Sequence, residues 1–315
     1  MRTGVSAAPR HARGDTGPET GRLSSSGMGM QTTREEPGTS GLTDAEKYLP
    51  PPPRRGPWPQ RRLAILGRGA ERFFEHAGGM ATLLWRTVVY LFTGRIALRE
   101  LINQIYWMGV GSIPIVLVTG TLAGIVTSQQ GGYQFTSGVP LYILGSVVTS
   151  SIVLELGPVM TAVVLIGRVG ARITAEIGTM KVSEQIDALE SLGRDPVRTL
   201  VAPRIIAGII AVPLLAGMAD AVGVFSGMLA AQATAGLGYR SFLYGAQLFW
   251  HNWDMFYSLS KATAFGLVIP LVASHMGLAT RGGAEGVGRY TTSAVVTMTL
   301  AVLILDALFP PLLLN

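Results

Sequence analysis

PRIIAGIIAVPLLAGMADAVGVFSGMLA, residues 203–230, is the stretch whose reading decides the fold. Only Arg204 and Asp220 within it are ionisable. Roughly 20 consecutive apolar residues carry a helix across the hydrocarbon layer of a bilayer, and this run has residues to spare. Four more stretches share its character, near residues 106–127, 140–167, 255–279 and 291–313. Gly157-Pro158, Pro213 and Pro270 fall inside these runs, where neighbouring helices satisfy the freed backbone groups better than water-facing surroundings do. The sequence therefore predicts an all-α membrane protein with five transmembrane helices. Composition agrees: 14% of the 315 residues are charged, against about 25% in soluble domains, too few to cover a water-exposed globule.

The connecting loops predict an orientation. Loop one, about 128–139, has no charge, whereas loop two, about 168–202, carries Arg168, Arg172, Lys181, Arg194 and Arg198. Loop three has only Arg240; loop four has Arg281 and Arg289; the segment Pro310 to Asn315 has none. Basic residues mark cytoplasmic loops, so this alternation places the N-terminus in the cytoplasm and the C-terminus on the exported side. A different span count would scramble it.

Ahead of the spans, residues 1–58 are rich in Gly, Pro, Ser, Thr and Arg, with too little apolar content to offset the entropy of ordering. They read as a disordered cytoplasmic tail, and Met28 or Met30 would serve as an alternative start. No apolar core follows the first basic residues, which argues against a signal peptide. A membrane domain then occupies 59–315. Residues 61–92 open it as an amphipathic helix with Leu63, Leu66, Ala70, Phe73, Phe74 and Ala77 at helical spacing, and Gly78-Gly79 permits a bend. Trp85 and Tyr90 suit the headgroup zone. The segment fits a helix lying in the interface or one packed on the membrane domain.

Loop two contains a short helix of its own. Val182, Ile186, Leu189 and Leu192 form an apolar stripe, while Glu184, Gln185, Asp187 and Glu190 decorate the rest. Ser183 is placed to cap the helix start, Gly193 to stop it, and Asp195-Pro196 to begin the next helix. On the residues alone this element is either a solvated connector or an acidic surface for a partner.

Several functions are excluded. With no cysteine there is no disulfide, thiolate metal site or Cys nucleophile. His11, His76, His251 and His275 are far apart in sequence, and no Gly-rich phosphate loop is present. No basic stretch is interleaved with stacking aromatics, so no nucleic-acid partner is expected. Four charged residues lie deep within the predicted spans, away from their ends: Glu155, Asp220, Lys261 and Asp306. Such residues are costly in lipid and point to function. Glu155 precedes Gly157-Pro158, where a kink would open a cavity. Lys261, Asp306 and Asp220 fall at similar depth, predicting a structural ion pair of Lys261 with Asp306 or Asp220; a proton relay is the functional rival. Gly120 with Gly124, and Gly223 with Gly227, form small-xxx-small pairs suited to close packing or a dimer seam.

A longer signature runs through the second and third spans. Glu155-Leu156-Gly157-Pro158-Val159, Ala162 to Gly170, Thr174 to Met180, Glu184 to Leu189, Asp195-Pro196 and Pro203-Arg204 together resemble the MlaE (YrbE) permease family, and the resemblance covers about residues 95–315. It implies a homodimeric permease of a bacterial inner membrane. An ABC ATPase would bind its cytoplasmic face, and an MCE-domain protein its periplasmic face. The complex would move phospholipids between inner and outer membranes and maintain outer-membrane lipid asymmetry. The resemblance also implies that the loop-two helix enters the ATPase through Glu184, Gln185, Asp187 and Glu190. It places Glu155, with Leu156 and Phe135, at a central lipid cavity. Well-known members carry Arg just before that Glu, where this chain has Leu154. No cofactor is expected on this chain; ATP acts through the partner. The alternative is an ion- or proton-coupled secondary transporter using Glu155 and Asp220, although no internal repeat of the kind common in such folds is visible. A membrane-embedded enzyme lacks any nucleophile–base pair.

Overall fold

The structure is a computed structural model and describes residues 58–93, 97–134 and 139–313. Most of the expected tail, residues 1–57, and the candidate cavity residue Phe135 lie outside the described residues. Residues 62–315 form one compact unit; of the other, residues 1–61, only the first turn of a helix is described. Among the described residues there is helix and no strand, with five helices long and apolar enough to cross a membrane. The protein is a multi-pass membrane protein.

Helix α1, Trp58–Phe92, precedes the spans. Span one joins α2, Leu98–Met108, to α3, Ile113–Gln134, through a short 3-10 turn. Span two is α4, Ile143–Ser151, α5, Gly157–Leu165, and α6, Ala171–Val182, linked by π-helical turns at Ile152–Leu156 and Ile166–Gly170. The short α7, Gln185–Ser191, follows, and span three begins with a π-helical turn, Val197–Val201, before α8, Ala202–Ala235. Helix α9, Tyr239–Leu248, then leads to α10, Asn252–Leu278, and α11, Gly283–Leu313, which are spans four and five. One end of the bundle carries α7 and the other carries α9.

Span three is the centre of the packing. α8 touches α2, α3, α5 and α10, and its residues are small where helices meet. Gly120 and Gly124 of α3 lie against Ala219, Gly223 and Gly227 of α8, so the two small-xxx-small pairs face each other within one chain. A Cβ on Gly124 would overlap the carbonyl oxygen of Gly223. The stripe thus forms an intramolecular seam, where close backbone approach replaces the side-chain burial that drives association in water.

Five local readings are corrected or extended. Gly78-Gly79 does not interrupt α1, which is a single helix; Gly79 lies against the His275 ring, where a Cβ would collide. Loop two is mostly helical, because span two continues to Val182 and span three starts at Val197. Ser183 does not cap α7: its hydroxyl donates back to Thr179 O at 2.8 Å, ending α6, while Glu184 takes the left-handed N-cap position at φ 59°. Leu192 leaves the apolar stripe and is 76% exposed. Loop three, for which the sequence marked no element, holds α9.

Candidate functional site

Near the α9 end, Lys261 of α10 is fully buried at 0% exposure. An ammonium in such a place requires anionic partners. Its Nζ lies 2.6 Å from Glu155 Oε2 and 2.5 Å from Asp306 Oδ1, tying together spans two, four and five. The Glu155 contact is a hydrogen bond, whereas the Asp306 contact is a charge pair off the hydrogen-bond axis.

The third partner of Lys261 follows from a proline. Pro158 has no N–H, so it cannot donate to Leu154 O four residues earlier. Nζ donates to that oxygen instead, at 3.3 Å. The π-helical turn Ile152–Leu156 immediately before Gly157-Pro158 adds one residue to the turn and absorbs the mismatch. The kink signal in the sequence thus has a specific use, which is to present Glu155 and a free carbonyl to one ammonium.

Asp220 does not join this cluster. Its Oδ2 accepts from Ser258 Oγ at 3.0 Å, and its Oδ1 is buried with no hydrogen-bond partner. Gly157 packs on that carboxyl so closely that a Cβ would overlap Oδ1. Tyr257 lies beside Lys261, its ring centroid 5.5 Å from Nζ, and its hydroxyl is also buried without a partner. Neither Ser258 nor Tyr257 carried any sequence signal.

Glu155 is unlike the other two charges of the cluster. Its side chain is 49% exposed, against 15% for Asp306. Val147, Met160 and Val163 are also exposed on α4 and α5, and Leu156 is half-buried. A carboxylate fixed from behind by a buried cation therefore sits at an apolar outer surface.

At the α7 end, Glu184, Gln185, Asp187 and Glu190 are all exposed. Ile186, 3% exposed, is the side chain that anchors α7 to the bundle. Lys181 Nζ reaches Asp187 Oδ1 at 2.7 Å and fixes the helix to the end of span two. Gly193 at φ 70° then turns the chain, and Asp195 Oδ1 accepts the Val197 N–H at 2.8 Å. Expected Asp195-Pro196 capping is thus present.

Basic residues at this end are held by partners that spacing could not reveal. Arg168 Nη1 donates to Ser112 Oγ at 2.7 Å, and Arg172 lies 3.7 Å over the Trp107 ring. Arg204, 3% exposed, pairs with Glu176 at 2.7 Å and donates to Leu200 O at 2.7 Å. Arg99, Asn103, Glu176 and Arg204 line an open groove of about 550 Å³. His76 and His275, 199 positions apart in sequence, meet at 2.9 Å between Nδ1 and Nε2. Among the described residues no group of three or more His, Cys, Asp or Glu is suited to a metal.

With this geometry in place, comparison with known proteins is decisive. The family described as Permease MlaE matches residues 101–311. The chain belongs to the MlaE permease family. A probable ABC transporter permease protein of Synechocystis is 39% identical over 232 residues, spanning 74% of this chain and 88% of that protein. One from Rickettsia typhi is 34% identical over 249 residues, spanning 79% of this chain and 96% of that protein. Protein TRIGALACTOSYLDIACYLGLYCEROL 1, chloroplastic, of Arabidopsis thaliana is 35% identical over 233 residues, covering 71% of this chain and 67% of that protein. The MlaE chain described here is thus an ABC transporter permease, and such a subunit works with a separate ATPase rather than a nucleotide site of its own.

Proposed function

We propose that this permease moves phospholipids or related lipids between the inner and outer membranes of a bacterial envelope, and so maintains outer-membrane lipid asymmetry. The observation that carries the reading is Glu155: a carboxylate held from behind by Lys261, yet 49% exposed on an apolar surface within the membrane. Such a group is costly facing lipid tails alone. A second copy of the chain brought against this surface encloses it and creates a cavity with a polar floor and apolar walls. Glu155 and Leu156, with Phe135, would line that cavity for a lipid. Lys261 and Asp306 hold the floor, while Asp220 packs behind Gly157 without joining them. That one relative bears the name of a galactolipid supports a lipid cargo.

The ATPase would engage α7. Glu184, Gln185, Asp187 and Glu190 form an exposed, mostly acidic edge on a helix anchored by one buried side chain. Lys181, Arg194, Arg198, Arg281 and Arg289 gather at the α7 end, whereas among the described residues Arg240 is the one Lys or Arg in the connection that forms the α9 end. The positive-inside rule supports a cytoplasmic α7 end, with the N-terminus inside and the C-terminus on the periplasmic side of an inner membrane. The α9 end would then face the MCE-domain protein.

The test is a reconstitution. The permease is purified with its cognate ATPase and assayed for movement of fluorescent phospholipid in proteoliposomes. ATP-dependent movement, lost together with ATPase association in Glu184→Lys/Asp187→Lys, is the expected result. A protein that purifies without an ATPase and transports on a proton gradient would overturn the reading.

A further inference from the structure

The Tyr90 hydroxyl of α1 donates a hydrogen bond to Asp195 Oδ2, just beyond α7. Asp195 is already built into the start of span three. Its Oδ1 accepts the Val197 N–H at 2.8 Å, and its backbone oxygen accepts the Thr199 N–H and Thr199 Oγ1, both at 3.1 Å. One carboxylate therefore serves two elements, with one oxygen for span three and the other for α1.

Packing extends the attachment along α1. Leu83, 8% exposed, packs with Val197, Val201 and Ile205 at the start of span three and with Leu271 of span four. Thr87, 3% exposed, is buried on the same face and satisfies its hydroxyl on Leu83 O at 2.8 Å. A turn further back, His76 meets His275 at 2.9 Å, and Gly79 lies under the same ring near the end of span four. The opposite face of α1 is open, with Trp85 70% and Phe92 85% exposed. α1 is continuous through Gly78-Gly79, so these contacts belong to one uninterrupted helix.

α7 itself rests on span two through Ile186 and the Lys181–Asp187 pair. A displacement of α7 reaches span two directly. It reaches span three by the short link from Gly193 to Asp195, and span four through the packing of α6 and α8 on α10, where Thr174 Oγ1 donates to Ala273 O at 3.1 Å. We infer that α1 reinforces this route from outside: a strut that holds the α7 ends of spans three and four to a common movement when α7 is displaced, with Tyr90 as the positioning residue that fastens it to Asp195. This rests on the reading of α7 as the ATPase contact.

The experiment uses the full permease with its ATPase in proteoliposomes and measures three quantities: ATPase co-purification, ATP hydrolysis, and lipid moved per ATP hydrolysed. Tyr90→Phe deletes one oxygen and no packing volume. The expected result is wild-type co-purification and hydrolysis, with lipid moved per ATP down about tenfold, the worth of one hydrogen bond to a charged group. Leu83→Ala, which loosens the same strut by a different contact, should lower the same ratio and decides the matter if Tyr90→Phe does not fold. An unchanged ratio in both variants overturns the inference. So does a parallel fall of co-purification, hydrolysis and transport, which would mean that α1 only holds the fold together. If the wild-type permease recruits no ATPase at all, it is the reading of α7 that has failed, and this inference falls with it.

Discussion

The two ends of this bundle treat charge in opposite ways. At the α9 end one ammonium, Lys261, is fully buried and ties together three spans through Glu155, Asp306 and Leu154 O. At the α7 end the acidic residues of α7 stand in the open, and Asp187 alone among them is held, by a half-buried lysine. Burial makes the difference. Inside the apolar layer an unpaired charge has no water to fall back on, so each partner is dictated and each loss is expensive. At the surface an ion pair is worth about 0–1 kcal/mol, so the sequence there is free to serve a partner instead of the fold.

The largest expected effect breaks the comparison at its buried side. Lys261→Met leaves Asp306 and Glu155 facing each other without a cation and should cost about 3–5 kcal/mol, the range for stranding buried charge. Thermal unfolding in detergent measures it, and Lys261→Met combined with Asp306→Asn should recover part of the loss. Normal stability with lost transport would mean that Lys261 serves the cargo and not the fold. Next comes the seam that lets the spans approach. Gly124→Leu must displace the Gly223 backbone and should cost about 1–3 kcal/mol by overpacking, read by the same melting experiment; an unchanged midpoint would show that α3 and α8 do not meet there. On the open side, Glu184→Lys/Asp187→Lys should shift stability by no more than about 0.5 kcal/mol while abolishing ATPase co-purification. A large loss of stability would erase the contrast between the two ends.

The smallest effect is one of pH. The hydrogen bond to Asp195, with burial and the Asp195 charge behind it, holds the Tyr90 hydroxyl above its ordinary range. A group whose folded value is raised stabilises the fold fully below its unfolded value and loses that contribution as pH rises through the raised one. The α1 contact should therefore be constant through neutral pH and weaken only above about pH 10. Trp85 on α1 provides a fluorescence signal for its release, and Tyr90→Phe should lack the alkaline step. A step at neutral pH would assign the titration to another group.

Much of the fold was legible because membrane spans are written in composition. Residues 203–230 and their four counterparts announce themselves by length and apolarity, and five helices among the described residues meet the requirement. Boundaries were less visible. Span two runs on to Val182 with Arg168, Arg172 and Lys181 along its last turns, and a charge count reads such an extension as a loop. Helix α9 was missed for a related reason: ten residues between two spans carry no signal strong enough to separate a helix from a connector.

The sites divide along the same line. Glu155, Lys261 and Asp306 could be picked out individually, since an ionisable residue in an apolar run is conspicuous. Which of them touch could not. Asp220 shared the depth of the others and yet turns to Ser258, because helix rotation, not depth, decides which face a side chain presents. His76 with His275 and Tyr90 with Asp195 are pairs separated by 199 and 105 positions, beyond any local pattern.

What the sequence determined by itself is therefore the medium and the inventory: five spans, their expected orientation, an acidic helix outside the bilayer, and a few charges too costly to be incidental. These follow from free energies of transfer, which each residue carries wherever it is placed. The tertiary structure alone decided the pairings. It set Lys261 beneath Glu155, exposed one carboxylate of that cluster and left the other half-buried, turned two glycine stripes toward each other inside one chain, and fastened α1 to Asp195. Contacts of that kind depend on the rotation and register of whole helices, which are fixed only when all the spans pack together.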